Sequence, residues 1–113
     1  MITIYHNPRC SKSREGLEII KDSGAEFTIR EYLKEELSTE ELSSLVKKLN
    51  IAPIQLVRTN EKIWKDEFKN KDLSDEELIA VMQKNPKLIE RPIVEKNDQA
   101  VIGRPPSDIK KII

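Results

Sequence analysis

The apolar positions change period twice near the N-terminus. Ile2 and Ile4 alternate with Thr3 and Tyr5, the two-residue period of a half-buried strand. Asn7-Pro8 breaks that run. From Ser11 onward, Leu17 and Ile20 recur at helical spacing until Gly24, a helix stop, which predicts a helix over about 11–22. Phe27 and Ile29 then alternate with Thr28 and Arg30, which predicts a second strand over about 26–32. The links are short, so the three elements read as a βαβ unit.

The middle of the chain, about 38–86, carries the helical period. Leu37-Ser38-Thr39-Glu40-Glu41-Leu42 and Leu73-Ser74-Asp75-Glu76-Glu77-Leu78 are two versions of one helix start. Each has Ser followed three residues later by Glu, a capping box, with leucines spaced for a hydrophobic staple. Leu42, Leu45, Val46 and Leu49 form the apolar stripe of the first helix. Leu78, Ile79 and Met82 serve the second, which stops before Pro86. A shorter helix or turn is predicted from Pro53, and another over about 61–69 around Trp64. The two starts share capping chemistry, but the sequences diverge afterwards, so this is not a repeat protein.

The C-terminal part predicts strand, turn, strand, helix. Ile93-Val94 and Ala100-Val101-Ile102 flank a polar connection, Glu95 to Gln99. Pro105-Pro106 then open a helix with Ile109, Ile112 and Ile113 apolar. The sum is an α/β fold: a four-stranded mixed sheet with flanking helices in a thioredoxin-like order. The whole of 1–113 is expected to form a single domain, with a helical insertion (about 38–86) between strands 2 and 3.

Charge narrows the function classes. Charged residues make up 35% of the chain, yet the net charge is zero, which argues against general affinity for nucleic acid or an anionic membrane. No run approaches the length of a membrane-spanning helix, and no signal peptide is evident. One cysteine cannot build an internal disulfide framework, so a reducing, cytoplasmic location is expected. One histidine and one cysteine make a protein-only zinc site an unfavourable reading.

That cysteine, Cys10, falls at the joint between the first strand and the first helix. A thiol there faces unpaired backbone N–H groups and the positive end of the helix dipole, and Arg9, Lys12 and Arg14 add positive charge nearby. Lowering a free-thiol pKa of about 8.5 by two units needs about 2.7 kcal/mol. A favourable helix terminus supplies up to about 2 kcal/mol, and one cation the remainder. The competing reading is a small buried hydrophobe. Spacing sorts the thiol chemistries. Ser13 stands where Cys-x-x-Cys would need a second cysteine, so any disulfide at Cys10 goes to another molecule. Gly16 stands where the Cys-x5-Arg phosphate cradle would need arginine. The only histidine, His6, lies upstream and does not make a papain-like pair.

What remains is a monothiol with arginines that could converge on it: Arg58, Arg91 and Arg104. The guanidinium fork suits oxyanions. Taken singly, each also reads as a solvated or salt-bridged surface arginine, although Arg91 and Arg104 lie at strand ends beside Pro or Gly. Pro92 reads either as a strand-entry proline or as a cis proline. Gly16 inside a helix costs about 1 kcal/mol against alanine at an exposed site.

The run from Tyr5 through His6-Asn7-Pro8-Arg9-Cys10-Ser11-Lys12-Ser13 to Arg14 resembles the nucleophile segment of the arsenate reductase family of the glutaredoxin-dependent type. Ser23-Gly24, Glu31-Tyr32-Leu33, Leu56-Val57-Arg58, the stretch from Asn85 to Val94, and Ile102-Gly103-Arg104-Pro105-Pro106 extend the likeness over nearly the whole chain. The resemblance implies that Cys10 is the nucleophile, that Arg58, Arg91 and Arg104 hold the oxyanion, and that Pro92 is cis. It implies reduction of arsenate to arsenite, with glutathione as co-substrate, glutaredoxin as partner, no bound cofactor and no metal, in a monomer. Ser11 and Lys12 replace the Gly and Thr of the best-characterised members, so the chain resembles a related subgroup. The alternatives are a redox-linked regulator that binds RNA polymerase, as in a sister branch, or a thiol reductase of another oxyanion or disulfide.

Overall fold

The computed structural model describes residues 1–113. The chain falls into two compact units, Met1–Glu35 with Arg91–Ile113, and Glu36–Glu90.

The first unit is built on a four-stranded sheet. Its elements are β1 (Ile2–Tyr5), α1 (Ser11–Asp22), β2 (Phe27–Arg30), β3 (Ile93–Lys96), β4 (Gln99–Ile102) and a 3₁₀ helix (Pro106–Lys111). The strand order is β2-β1-β3-β4. β1 runs parallel to β2 and antiparallel to β3, and β3 antiparallel to β4. Ile4 stands opposite Ile29 on one side and Val94 on the other. Ile2, Ile4, Ile20, Val94 and Ile109 form the buried core, with Leu17, Phe27 and Ile112 packed at its margin. α1 lies against the C-terminal 3₁₀ helix.

Three elements differ in length or type from the pattern-based expectation. β2 stops at Arg30 because the four residues of β1 pair only Phe27 through Arg30. It is an edge strand, and Ile29 is accordingly exposed. The hairpin is tighter than expected: Lys96 pairs with Gln99, leaving Asn97-Asp98 as a two-residue turn. Asn97 takes φ +56°, a left-handed conformation that asparagine tolerates and that such turns require. The C-terminal segment is 3₁₀ rather than α, as suits a six-residue piece opened by prolines.

The second unit contains α2 (Thr39–Leu49), α3 (Lys62–Glu67) and α4 (Asp75–Lys84), with 3₁₀ turns at Pro53–Leu56 and Pro86–Leu88. Both capping boxes form. Ser38 Oγ accepts from Glu41 N at 3.0 Å while Glu41 Oε1 accepts from Ser38 N at 3.0 Å. Ser74 and Glu77 repeat the exchange at 3.2 and 2.9 Å. α4 packs against α2 and both 3₁₀ turns, burying Leu42, Leu45, Leu56, Met82 and Leu88. No helix is long and apolar enough to cross a membrane.

Candidate active site

After Tyr5 the chain leaves the sheet and loops over residues 6–10 before α1 begins. The loop is pinned from inside the helix. Ser13 Oγ, fully buried in the first turn of α1, lies 2.6 Å from His6 Nδ1 and accepts from Asn7 N at 3.0 Å. Asn7 in turn accepts from Cys10 N through its carbonyl (3.0 Å) and from Arg9 N through its side chain (3.0 Å). His6 N donates to Arg30 O at 2.8 Å, which ties the loop to the end of β2. Burial holds His6 below its ordinary pKa; Glu31 opposes the shift, and Arg14 and Lys21 reinforce it.

Cys10 is the N-cap residue of α1, in extended conformation (φ −94°, ψ 123°). It is half-buried, so the reading as a sealed hydrophobe does not hold. Burial pushes its thiol up, but several groups outweigh that. The Arg91 guanidinium contributes a hydrogen bond and charge, and the backbone N–H groups of Ser13 and Lys12 face the sulfur, so the pKa is lowered. Arg104 Nη2 stands 3.5 Å from Sγ.

The cations nearest in sequence do not carry this effect. Lys12 pairs with Glu15 at 3.7 Å, and Arg14 donates to Pro8 O at 3.0 Å. The charge comes instead from Arg91; Arg104, on the other side of the β3–β4 hairpin, touches the sulfur. Arg104 Nε donates to the Arg91 carbonyl at 2.7 Å. Arg91 Nε is buried without a hydrogen-bond partner. Arg58 belongs to the helical unit, where its guanidinium pairs with Glu90 at 3.1 Å and Glu61 at 3.6 Å.

The Arg91–Pro92 peptide bond is cis, as the resemblance implied; Arg104–Pro105 is also cis, which the sequence reading did not anticipate. The Pro92 ring fits against two glycines. A Cβ at Gly16 would meet Ile109 Cδ1 at 2.8 Å and Pro92 Cγ at 3.0 Å, and one at Gly103 would meet the same two atoms at 2.9 Å each. Gly16 therefore lets the helix of Cys10 approach the segment that bears Arg91. The signal for this in the sequence is Gly16 itself, a costly residue inside a helix. Ser13 and its pairing with His6 had no such signal.

The ArsC family model matches residues 5–112. The chain belongs to the ArsC family. It is 43% identical over 114 residues to an arsenate reductase of Haemophilus influenzae, covering 99% of this chain and 98% of that protein. An uncharacterized protein of Escherichia coli, YfgD, is 43% identical, with 99% and 96% covered. The solved structure of an arsenate reductase from Vibrio cholerae superposes with a TM-score of 0.94 at 41% identity, covering 99% of this chain and 97% of that one. In this ArsC-family chain, then, one half-exposed thiol stands at a helix N-terminus beneath two arginines.

Proposed function

We propose that this protein reduces arsenate to arsenite, with Cys10 as the nucleophile and glutathione with glutaredoxin as the electron source. One observation carries this reading: Arg91 and Arg104, remote in sequence, both reach the thiol of Cys10. An anionic nucleophile attacking a multiply charged oxyanion needs positive charge already in place, and guanidinium forks supply it with directed donors. The relatives named arsenate reductase support an enzyme, and the polymerase-binding alternative is not favoured.

The steps follow from a single thiol. The Cys10 thiolate attacks arsenic(V), and water leaves. Glutathione then adds through its sulfur, and a second water leaves. As the bond between the two sulfurs forms, arsenic takes the electron pair and departs as arsenite. Cys10 is left in a mixed disulfide with glutathione, and with no second cysteine in the chain an external thiol must resolve it. Glutaredoxin attacks the glutathione sulfur and frees the Cys10 thiolate. Arg91 and Arg104 bind the oxyanion and offset its charge, in a reducing, cytoplasmic setting and without a resident cofactor.

The test is NADPH oxidation coupled through glutathione reductase, glutathione and glutaredoxin in the presence of arsenate. The wild type turns over and Cys10→Ser does not; equal rates for the two proteins would overturn the proposal.

A further inference from the structure

Arg104 engages two atoms of different kinds at once. Its Nε donates to the Arg91 carbonyl at 2.7 Å, and its Nη2 stands 3.5 Å from Cys10 Sγ. The backbone beneath it is fixed. Gly103 N donates to Pro92 O at 2.8 Å, Arg104 N donates to Ile102 O at 2.9 Å, and Gly103 is wedged against Pro92 and Ile109. The Arg104 side chain itself is exposed, so burial does not impose its contact with the carbonyl.

The main chain beside the thiol has few groups to offer a visitor. Pro92 has no N–H, and its carbonyl already accepts from Gly103. The Arg91 carbonyl is the remaining acceptor of that pair, and Arg104 occupies it. An extended peptide that carries a disulfide docks through main-chain hydrogen bonds. Here it would have to reach this carbonyl and the sulfur together, and one guanidinium stands against both. A small oxyanion has no such requirement, because the guanidinium is what it binds.

We propose that Arg104 is a specificity-determining residue: by holding the Arg91 carbonyl beside Cys10, it reserves the thiol for small oxyanions and disfavours peptide disulfides. This rests on Cys10 being the nucleophile of the reaction above. When an oxyanion takes the guanidinium donors, the carbonyl is released, and glutathione, itself a peptide, can pair there. The disfavoured reaction is thiol–disulfide exchange. The Cys10 thiolate attacks one sulfur of the peptide disulfide, the sulfur–sulfur bond breaks, a mixed disulfide forms, and the other half leaves as thiolate.

The experiment compares wild type, Arg104→Ala and Arg104→Leu without arsenate. Mixed-disulfide formation at Cys10 is followed by mass spectrometry with two probes, a neutral blocked-peptide disulfide and 2-hydroxyethyl disulfide, which has no amides. The ratio of the two rates cancels any change in thiolate fraction. Loss of a charge-assisted hydrogen bond that competes for the carbonyl predicts a rise of about tenfold in the ratio for both variants. A ratio within about threefold of wild type in either folded variant overturns the proposal. Because the ratio is read without arsenate, its failure is separate from that of the reductase reading, which would appear as wild type without arsenate turnover.

Discussion

Gly16→Ala is the most direct probe of how the site is held. In an exposed helix interior this change stabilises by about 1 kcal/mol. At Gly16 the added methyl would come 2.8 Å from Ile109 Cδ1 and 3.0 Å from Pro92 Cγ. Neither neighbour yields easily. The proline ring is rigid, and Ile109 is fully buried with its Cδ1 already 2.9 Å from where a Cβ on Gly103 would stand. Overpacking of this kind costs about 1–3 kcal/mol, and the lack of room puts the cost in the upper half of that range. The net expectation is a loss of about 1–2 kcal/mol. Urea unfolding monitored by circular dichroism should show a lower midpoint at unchanged slope, with the melting temperature down by about 4 °C or more. Ile109→Val, which removes the Cδ1 atom, should cost about 0.5–1.5 kcal/mol alone and less in the Gly16→Ala background. A Gly16→Ala protein as stable as wild type, or more stable, would refute the packing account. It would leave Gly16 as an ordinary helix glycine.

Three further outcomes are expected. The rate of Cys10 alkylation against pH should have its midpoint below the ordinary thiol value of about 8.5, and Arg91→Ala should move it upward; an unmoved midpoint would mean Arg91 is not the activating cation. Ser13→Ala removes the hydroxyl that serves both His6 and Asn7, so it should destabilise by about 1–3 kcal/mol and slow alkylation of Cys10, read by urea unfolding and mass spectrometry. His6 has its pKa lowered in the folded state, so the unfolded chain binds the extra proton first as pH falls. Stability should therefore be intact above about pH 6.5 and decline below it, and His6→Gln should flatten the decline in that window.

Local chemistry was legible in the sequence, and long-range chemistry was not. The two capping boxes involve residues three apart, and both form as their spacing dictates. The strand–helix joint at Cys10 is equally local, and it stands where the apolar period changes. The source of the positive charge is a different matter. Arg9, Lys12 and Arg14 are neighbours of Cys10 in sequence, but Lys12 and Arg14 point to partners on α1 and its loop, whereas Arg91 and Arg104 arrive only through sheet pairing. Arg58 shows the limit of residue type as a guide. Its partner Glu61 is three residues away, but Glu90 lies beyond α3 and α4 in the chain, so no spacing rule reveals that second pairing. The fit of Gly16 and Gly103 around Pro92 depends on three distant segments and one isoleucine.

The order in which the chain is made has a consequence for this thiol. Cys10 leaves the ribosome before Arg91 and Arg104, which follow every helix of the middle unit. A chain still being made therefore displays its sulfur without the Arg91 guanidinium that lowers its pKa. Activation of the thiol by charge waits until the β3–β4 hairpin has been made and paired with β1.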